Sequence, residues 1–377
     1  MRLPGATRPV GEPVPVFPRG GTPLEWPAGY DAAWFDSGTT ALAIAARALV
    51  LAASRPEPRI VLPAYTCPDV VSAVLWAGAV PVLADTLPGL PWLDEAALMR
   101  HHDASWVGVI APHFLGLRHP LGTLQEWCRS AGVGLIEDSA QLGPRSPAFQ
   151  PVADLVVLSF GRGKPIPAGG GALLFRGEQA GAVRDLAARL EEADGSALRW
   201  RARALMHDLA LTRPGYLLAR SLPWLHVGET RYRPLQRPRR LGAHARRLAE
   251  AVIAGWQDRS PAVCKALGMC LAGPGNASLV DACGWSEAQP LLRFPIMARS
   301  AEERHRIYCD GQRHGLGVSA MYGSILAELD AAPPMRATGT LGNSRDFASR
   351  LLTLPVHTGV TPTDLDVLQS MLNRGIA

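Results

Sequence analysis

The sequence predicts an α/β protein: a mostly parallel sheet in a three-layer α/β/α arrangement, followed by a smaller C-terminal α+β unit. Short continuous Val/Ile/Leu runs alternate with helical patterns between residues 59 and 175. Runs of that kind mark strands buried on both faces, as in sheets whose crossover helices cover them. Two of the runs end in polar chemistry, at Asp138 and Ser159, and open α/β sheets hold their ligands beyond the carboxyl ends of the strands. The chain has 377 residues, 47% hydrophobic and 19% charged, enough for about two domains with sizeable cores.

In chain order, residues 1–30 carry several prolines and glycines without periodicity and read as an extended arm lying on the domain or on a partner. A large domain is expected over 31–256 and a small one over 257–377. Ser37-Gly38-Thr39-Thr40 opens an Ala- and Leu-rich helix; small hydroxyl residues and glycine at a helix start cap free N–H groups and make an anion site. Strands are expected at Arg59–Leu62, Val80–Ala84, Trp106–Ala111, Val133–Asp138, Leu155–Phe160 and Ala172–Phe175, with helices near 67–77, 94–101 and 121–131. A helical stretch follows Gly177, then a Pro- and Arg-rich connector (Pro214 to Arg240) and a helix over Leu241–Trp256. In the small unit the pattern predicts strands at Leu291–Ile296, Gly317–Ala320 and Leu351–Leu354, a helix over Glu302–His314, and a last helix capped by Thr361.

The net charge of +5 and pI of about 9.0 fit an anionic small substrate as well as a generally arginine-rich composition. No apolar block suits a signal peptide, and the longest apolar stretch, Thr39 to Ala53, contains Arg47 and is too short to span a bilayer. A cytoplasmic protein without membrane or nucleic-acid partners is expected. The six cysteines show no CxxC spacing, so no metal site is expected and the thiols read as reduced.

The chemistry centres on Asp138 and Lys164. Lys164 is one of two lysines in the chain, the other being Lys265, so the remaining positive side chains are arginines. A lysine amine loses its proton and attacks carbonyls, which a guanidinium does not. No GxGxxG follows a strand, and no GxSxG or HExxH occurs. A P-loop ending at Gly163-Lys164 would need glycine where Leu158 stands and a hydroxyl residue where Pro165 stands. What remains is a helix start suited to phosphate, a strand-end acid, a serine shortly before a lysine, and the glycines Gly169-Gly170-Gly171. Singly, each has a commoner role: Asp138 as a turn residue, Lys164 as a surface lysine. In this order they suit pyridoxal phosphate, which needs a lysine for its aldehyde, a carboxylate for its ring nitrogen, and hydroxyls and N–H groups for its phosphate.

From Phe35 onward the chain resembles the DegT/StrS sugar aminotransferases, of the aspartate-aminotransferase fold (fold type I). The resemblance is carried by DSGTTAL, PAYTCPDVVSAVLWAGAVPVLAD, IAPHFLG, LIEDSAQLGP, SFGRGKPIPAGGGALLF and LLTLPVHTGVTPTDLDVL. It implies that Lys164 forms the internal aldimine and shuttles the proton, that Asp138 pairs with the pyridine nitrogen, and that Gln141 lies near the ring 3-hydroxyl. Gly38, Thr39, Thr40 and Ser159 fall at the phosphate, and His113 near the cofactor face. The ring-stacking position, usually aromatic in the family, falls on Cys67, with Tyr65 two residues away as a substitute. Where the family often has G-x-N-x-R reaching into the neighbouring protomer, this chain reads GETRYRP, with Thr230 at the Asn position and Arg231 or Arg233 to replace the contact. The family's frequent His-Tyr pair appears as Met321-Tyr322 on the acceptor side. The implied activity is transfer of an amino group from an amino acid such as glutamate or glutamine to a nucleotide-linked keto sugar, with ping-pong half-reactions in a homodimer. The resemblance extends also to lyases, dehydratases and cyclitol or aromatic-precursor enzymes of the same family, and to a non-catalytic sugar-nucleotide-binding homologue.

Overall fold

The apolar runs form one twisted sheet. Its strands are β1 (Asp31–Phe35), β2 (Arg59–Pro63), β3 (Val80–Ala84), β4 (Trp106–Pro112), β5 (Gly134–Asp138), β6 (Leu155–Ser159), β7 (Gly171–Phe175) and, from far along the chain, β9 (Arg336–Ala337). A computed structural model describes residues 9–20, 22–222, 230–257, 262–271, 279–287, 289–330 and 332–376. Across the sheet the order is β1-β7-β6-β5-β4-β2-β3-β9. Neighbours from β6 to β9 run parallel, while β7 is antiparallel to both β6 and β1. The expected mostly parallel three-layer architecture is therefore present. The six expected strands of the sheet appear with boundaries shifted by at most about one residue, while β1 and β9 were not anticipated.

Alternation along β6 shows how the layers form, since successive strand residues point to opposite faces. Leu155 and Val157 join the core beneath α1 (Gly38–Ala53) and α2 (Pro68–Trp76). Val156 and Leu158 face a second core with Trp200 and Ala204 of α6 (Ala197–Ala210) and Val252 and Ile253 of α8 (Ala243–Ala254). Further along that face, Leu98 of α3 (Glu95–Arg100) and Leu124 and Cys128 of α4 (Gly122–Ala131) cover β2 to β5. After β7 come α5 (Ala180–Arg189), then the hairpin of α6 and α7 (Arg213–Ser221).

The N-terminal arm, from residue 9 on, lies on its own chain. The Val14 N–H donates to Asp208, the Glu12 carbonyl meets His207 Nε2 at 3.0 Å, and the Glu12 carboxylate accepts from the N–H and hydroxyl of Thr358.

A second sheet pairs β8 (Phe294–Met297) with β10 (Leu351–Leu354), antiparallel. Phe294, Ile296, Leu352 and Leu354 on it pack with α9 (Ala262–Leu271), α10 (Leu279–Ala282), α11 (Ala301–Arg313) and α13 (Pro362–Ile376). Thr361 caps α13: its hydroxyl accepts from the Asp364 N–H while the Asp364 carboxylate reaches back to the Thr361 N–H. The predicted strand at Gly317–Ala320 shrinks to one bridge, Ser319 to Thr353, because Gly317 (φ 71°) and Met321 (φ 58°) turn the backbone out of the extended region at both ends. The stretch after residue 257 serves two cores. While β8 and β10 build their own, β9 extends the large sheet and Phe347 of α12 (Gly342–Arg350) packs with Tyr65 and Phe114.

Candidate active site

Strand β5 ends at Asp138, and its last two residues face opposite ways. Glu137 points into the protein, where Oε1 lies 2.8 Å from His113 Nε2 and Oε2 accepts from the N–H groups of Val152 and Ala153. Burial opposes its charge, but these hydrogen bonds and His113 together hold the carboxyl below its ordinary range. Asp138 is buried too, and burial pushes its carboxyl up; the charge of Lys164, the Ala140 N–H at 3.0 Å and His113 pull the other way. The next residue, Ser139, is fully buried, and among the described residues its Oγ has no hydrogen-bond partner.

Lys164 follows β6 in a turn in which its N–H donates to the Gly161 carbonyl. Its charge acts on both Asp138 and Cys67, so lysine, acid and thiol converge. Among the described residues its amine has no hydrogen bond or ion pair. Cys67 caps α2 just ahead of Pro68. Burial, with Asp69 adding to it, raises its thiol to about 11.

The start of α1 closes against β6 and β7. A Cβ on Gly38 would lie 2.5 Å from Ser159 Cβ and 2.7 Å from its Oγ, and one on Gly171 would lie 2.5 Å from the Gly38 nitrogen. Glycine at both places lets the helix N-terminus reach the Ser159 hydroxyl, where N–H groups without intrahelical acceptors meet a side-chain donor. Ser37 is the N-cap and accepts from the Thr40 N–H. No acid stands in the first turn of α1.

Of the residues expected at the site, Lys164, Asp138, Cys67, Gly38 and Ser159 leave groups at it or beside it, and Thr39 leaves its backbone N–H, its hydroxyl donating to Asp69 at 3.3 Å. Others are committed elsewhere. The Thr40 hydroxyl donates to Asp36 at 2.6 Å, which makes it part of the cap and not a free phosphate ligand. His113 uses both ring nitrogens, Nε2 on Glu137 and Nδ1 accepting from the His119 N–H, so it props the strand end from behind. Tyr65 cannot stack on a ring in the site. It is buried in an aromatic cluster with Phe114, Tyr322 and Phe347, and its hydroxyl both donates to the Tyr322 carbonyl (3.1 Å) and accepts from the Tyr322 N–H (3.3 Å). Gln141 accepts from the Leu115 N–H and donates to the Tyr322 hydroxyl at 3.0 Å.

Tyr322 is thereby held at backbone and hydroxyl alike. Its hydroxyl, raised well above its ordinary value by burial first and then by Cys67, Tyr65 and Asp138, faces the thiol and acid of the site. Its neighbours Met321 and Ser319 line an adjoining cavity of about 480 Å³, with Thr230, Tyr308, Gln312 and Ser324. Arg231 and Arg233 stand exposed on the connector; Gly228 and Glu229 of the same motif lie outside the described residues. Glu137 and Ser139 were missed as parts of the site, although EDS names them in sequence. Only the pleat shows which of Glu137 and Asp138 faces inward.

No curated protein sequence matches the chain. Solved structures share its fold. The aminotransferase TlmJ from Streptoalloteichus hindustanus is 20% identical with a TM-score of 0.65, over 92% of this chain and 85% of its own. NtdA from Bacillus subtilis, solved with bound cofactor PMP, is 17% identical with a TM-score of 0.63, over 92% and 73%. DesI, solved in the presence of its TDP-sugar product, is 19% identical with a TM-score of 0.63, over 92% and 80%. Residues 30–188, which contain the lysine, the acid, the thiol and the helix cradle, match the model of the DegT/DnrJ/EryC1/StrS aminotransferase family.

Proposed function

We propose that this protein is a pyridoxal-phosphate-dependent aminotransferase that moves an amino group from an amino acid, glutamate or glutamine, to a nucleotide-linked keto sugar. The observation that carries the reading is the convergence of an unpaired Lys164 amine and a buried Asp138 carboxylate beside a helix N-terminus that meets a serine hydroxyl. The residues fit the cofactor. Asp138 is buried with little to balance its charge besides Lys164, and the protonated ring nitrogen is the partner such a carboxylate needs. The N–H groups of Gly38 and Thr39 with Ser159 Oγ suit a phosphate. When bound, the cofactor supplies a carbonyl to carry the amino group and a ring that accepts an electron pair.

In this reading Lys164 Nζ takes the proton from the donor's Cα and later returns one to the acceptor carbon. Asp138 keeps the proton on the ring nitrogen. Tyr322, fixed by Tyr65 and Gln141, lines the acceptor side with Cys67 in place of an aromatic ring. The adjoining cavity, of a size usual for small-molecule sites, admits the sugar. DesI, of the same fold, was solved with a TDP-sugar, which supports a nucleotide-linked acceptor. A homodimer, with Arg231 or Arg233 of each connector serving the other protomer, completes the proposal.

The test is a single-turnover titration. Protein loaded with pyridoxal phosphate should show a visible absorption band that glutamate or glutamine bleaches and a keto sugar nucleotide restores. Lys164→Ala should lack the band's normal position and the amino transfer. A loaded wild-type protein that no amino donor bleaches would overturn the reading.

A further inference from the structure

Helix α6 is buried along one side and apolar along the other. Trp200, Ala204 and His207, spaced four and three residues apart, face the core. On the opposite side Leu198, Leu205, Met206 and Leu209 stand 77, 51, 61 and 50% exposed, and Leu218 of α7 adds another at 62%. At 100° per residue the four on α6 share one face with Ala202. Single exposed leucines are ordinary, but a contiguous stripe calls for a partner.

The charges around the stripe identify that partner. Arg199 and Arg203 border it on one side and Arg201 on the other, the latter stacked 4.8 Å over the exposed ring of Phe17. From Gly195 to Leu222 the sequence has five arginines and one acid, Asp208, and that acid is turned to the N-terminal arm, where it accepts from the Val14 N–H. Arg199 pairs with Asp194 at the start of the helix, outside the stripe. A twofold-related copy of the chain would set this positive border against itself, with no acid on the face to balance it. An apolar helix face edged with cations is instead the pattern of a segment that lies in the interface of an anionic bilayer. Among the described residues no helix is long and apolar enough to cross a membrane, so the contact would be peripheral.

We infer that the α6–α7 hairpin seats this protein on the surface of an anionic lipid bilayer, with Leu198, Leu205, Met206 and Leu209 entering the acyl boundary and the flanking arginines meeting lipid phosphates. This departs from the expectation of no membrane partner, and it does not depend on the cofactor reading.

Co-sedimentation of the full-length protein with vesicles tests it. Binding is expected to phosphatidylcholine vesicles containing a quarter phosphatidylglycerol, to fall with added salt, and to be at least about tenfold weaker on phosphatidylcholine alone. The double variant Leu205→Glu/Met206→Glu should lose vesicle binding while keeping its melting temperature, because both side chains are exposed. Arg199→Gln/Arg203→Gln should weaken binding about tenfold. Absence of binding to the anionic vesicles, or equal binding by the leucine–methionine variant, overturns the proposal. So does a wild type that ignores vesicles and is dimeric in sedimentation velocity while that variant is monomeric, which would assign the face to a second copy.

Discussion

At the scale of single residues, a side chain's chemical type gave less information than the partners it meets. Tyr65, His113 and Gln141 stand in motifs that resemble cofactor contacts, yet each is consumed by scaffolding: Tyr65 on the Tyr322 backbone, His113 on Glu137, Gln141 on Leu115 and the Tyr322 hydroxyl. Tyr65→Phe removes a donor and acceptor that together fix Tyr322. It is expected to destabilise the fold by about 1–2 kcal/mol in urea denaturation and to raise KM for the acceptor more than it lowers kcat. Equal KM in the variant would detach Tyr322 from the acceptor. Asp138→Asn should leave the protein folded, since burial already opposes the charge, while slowing amino transfer by at least about a hundredfold, measured as the single-turnover bleaching rate. Lys164 and Asp138 were legible from sequence because their chemistry is rare at those places. The commitments of Tyr65 and Gln141 were not, because both bonds to Tyr322 span well over a hundred residues.

At the scale of elements, helix ends decide where segments dock. The start of α1 was readable in SGTT, where hydroxyls sit next to a glycine. Its approach to Ser159 leaves no room for a methyl group. Gly38→Ala should cost about 1–3 kcal/mol from overpacking and weaken phosphate-dependent cofactor retention, read as the visible band surviving dialysis. The start of α12 was not readable, because its N-cap position is Leu341, which offers no acceptor. Asp85, at the end of β3, performs the capping from a distance. It accepts from the N–H groups of Asn343 (3.0 Å) and Ser344 (2.7 Å) and from the Ser344 hydroxyl (2.6 Å). Asp85→Ala should therefore cost about 2 kcal/mol or more, in chemical denaturation, and loosen the return of the C-terminal segment onto the large sheet.

For the whole molecule, acid is the expected weak point. His119 is buried, with its ring stacked 5.7 Å from that of Trp92, and burial first, then the neighbouring His113, lowers its pKa from 6.5 to about 3. The folded protein keeps this imidazole neutral while the unfolded chain protonates it below its ordinary pKa. Its contribution to stability is thus full above about pH 6.5 and is lost progressively as pH falls toward 3. His119→Phe should keep the stack and show a shallower fall in melting temperature across that window. An identical pH profile would remove His119 from the account. Glu137, held below its ordinary value, adds a further loss at lower pH.

The layered fold, the parallel strands and the lysine–acid pair follow from local patterns: apolar period, strand-end polarity, and a lysine in a chain that otherwise uses arginine. Such signals survive in sequence because each is confined to a few adjacent residues. Long-range partners decided the remainder. Pairing of β9 with β3, the capping of α12 by Asp85, the enclosure of Tyr65 and the second apolar face of α6 all depend on which surfaces meet after folding. A two-residue strand carries no period to read, a cap supplied from more than two hundred residues away leaves no local trace, and exposure of a leucine is known only once everything else has been buried.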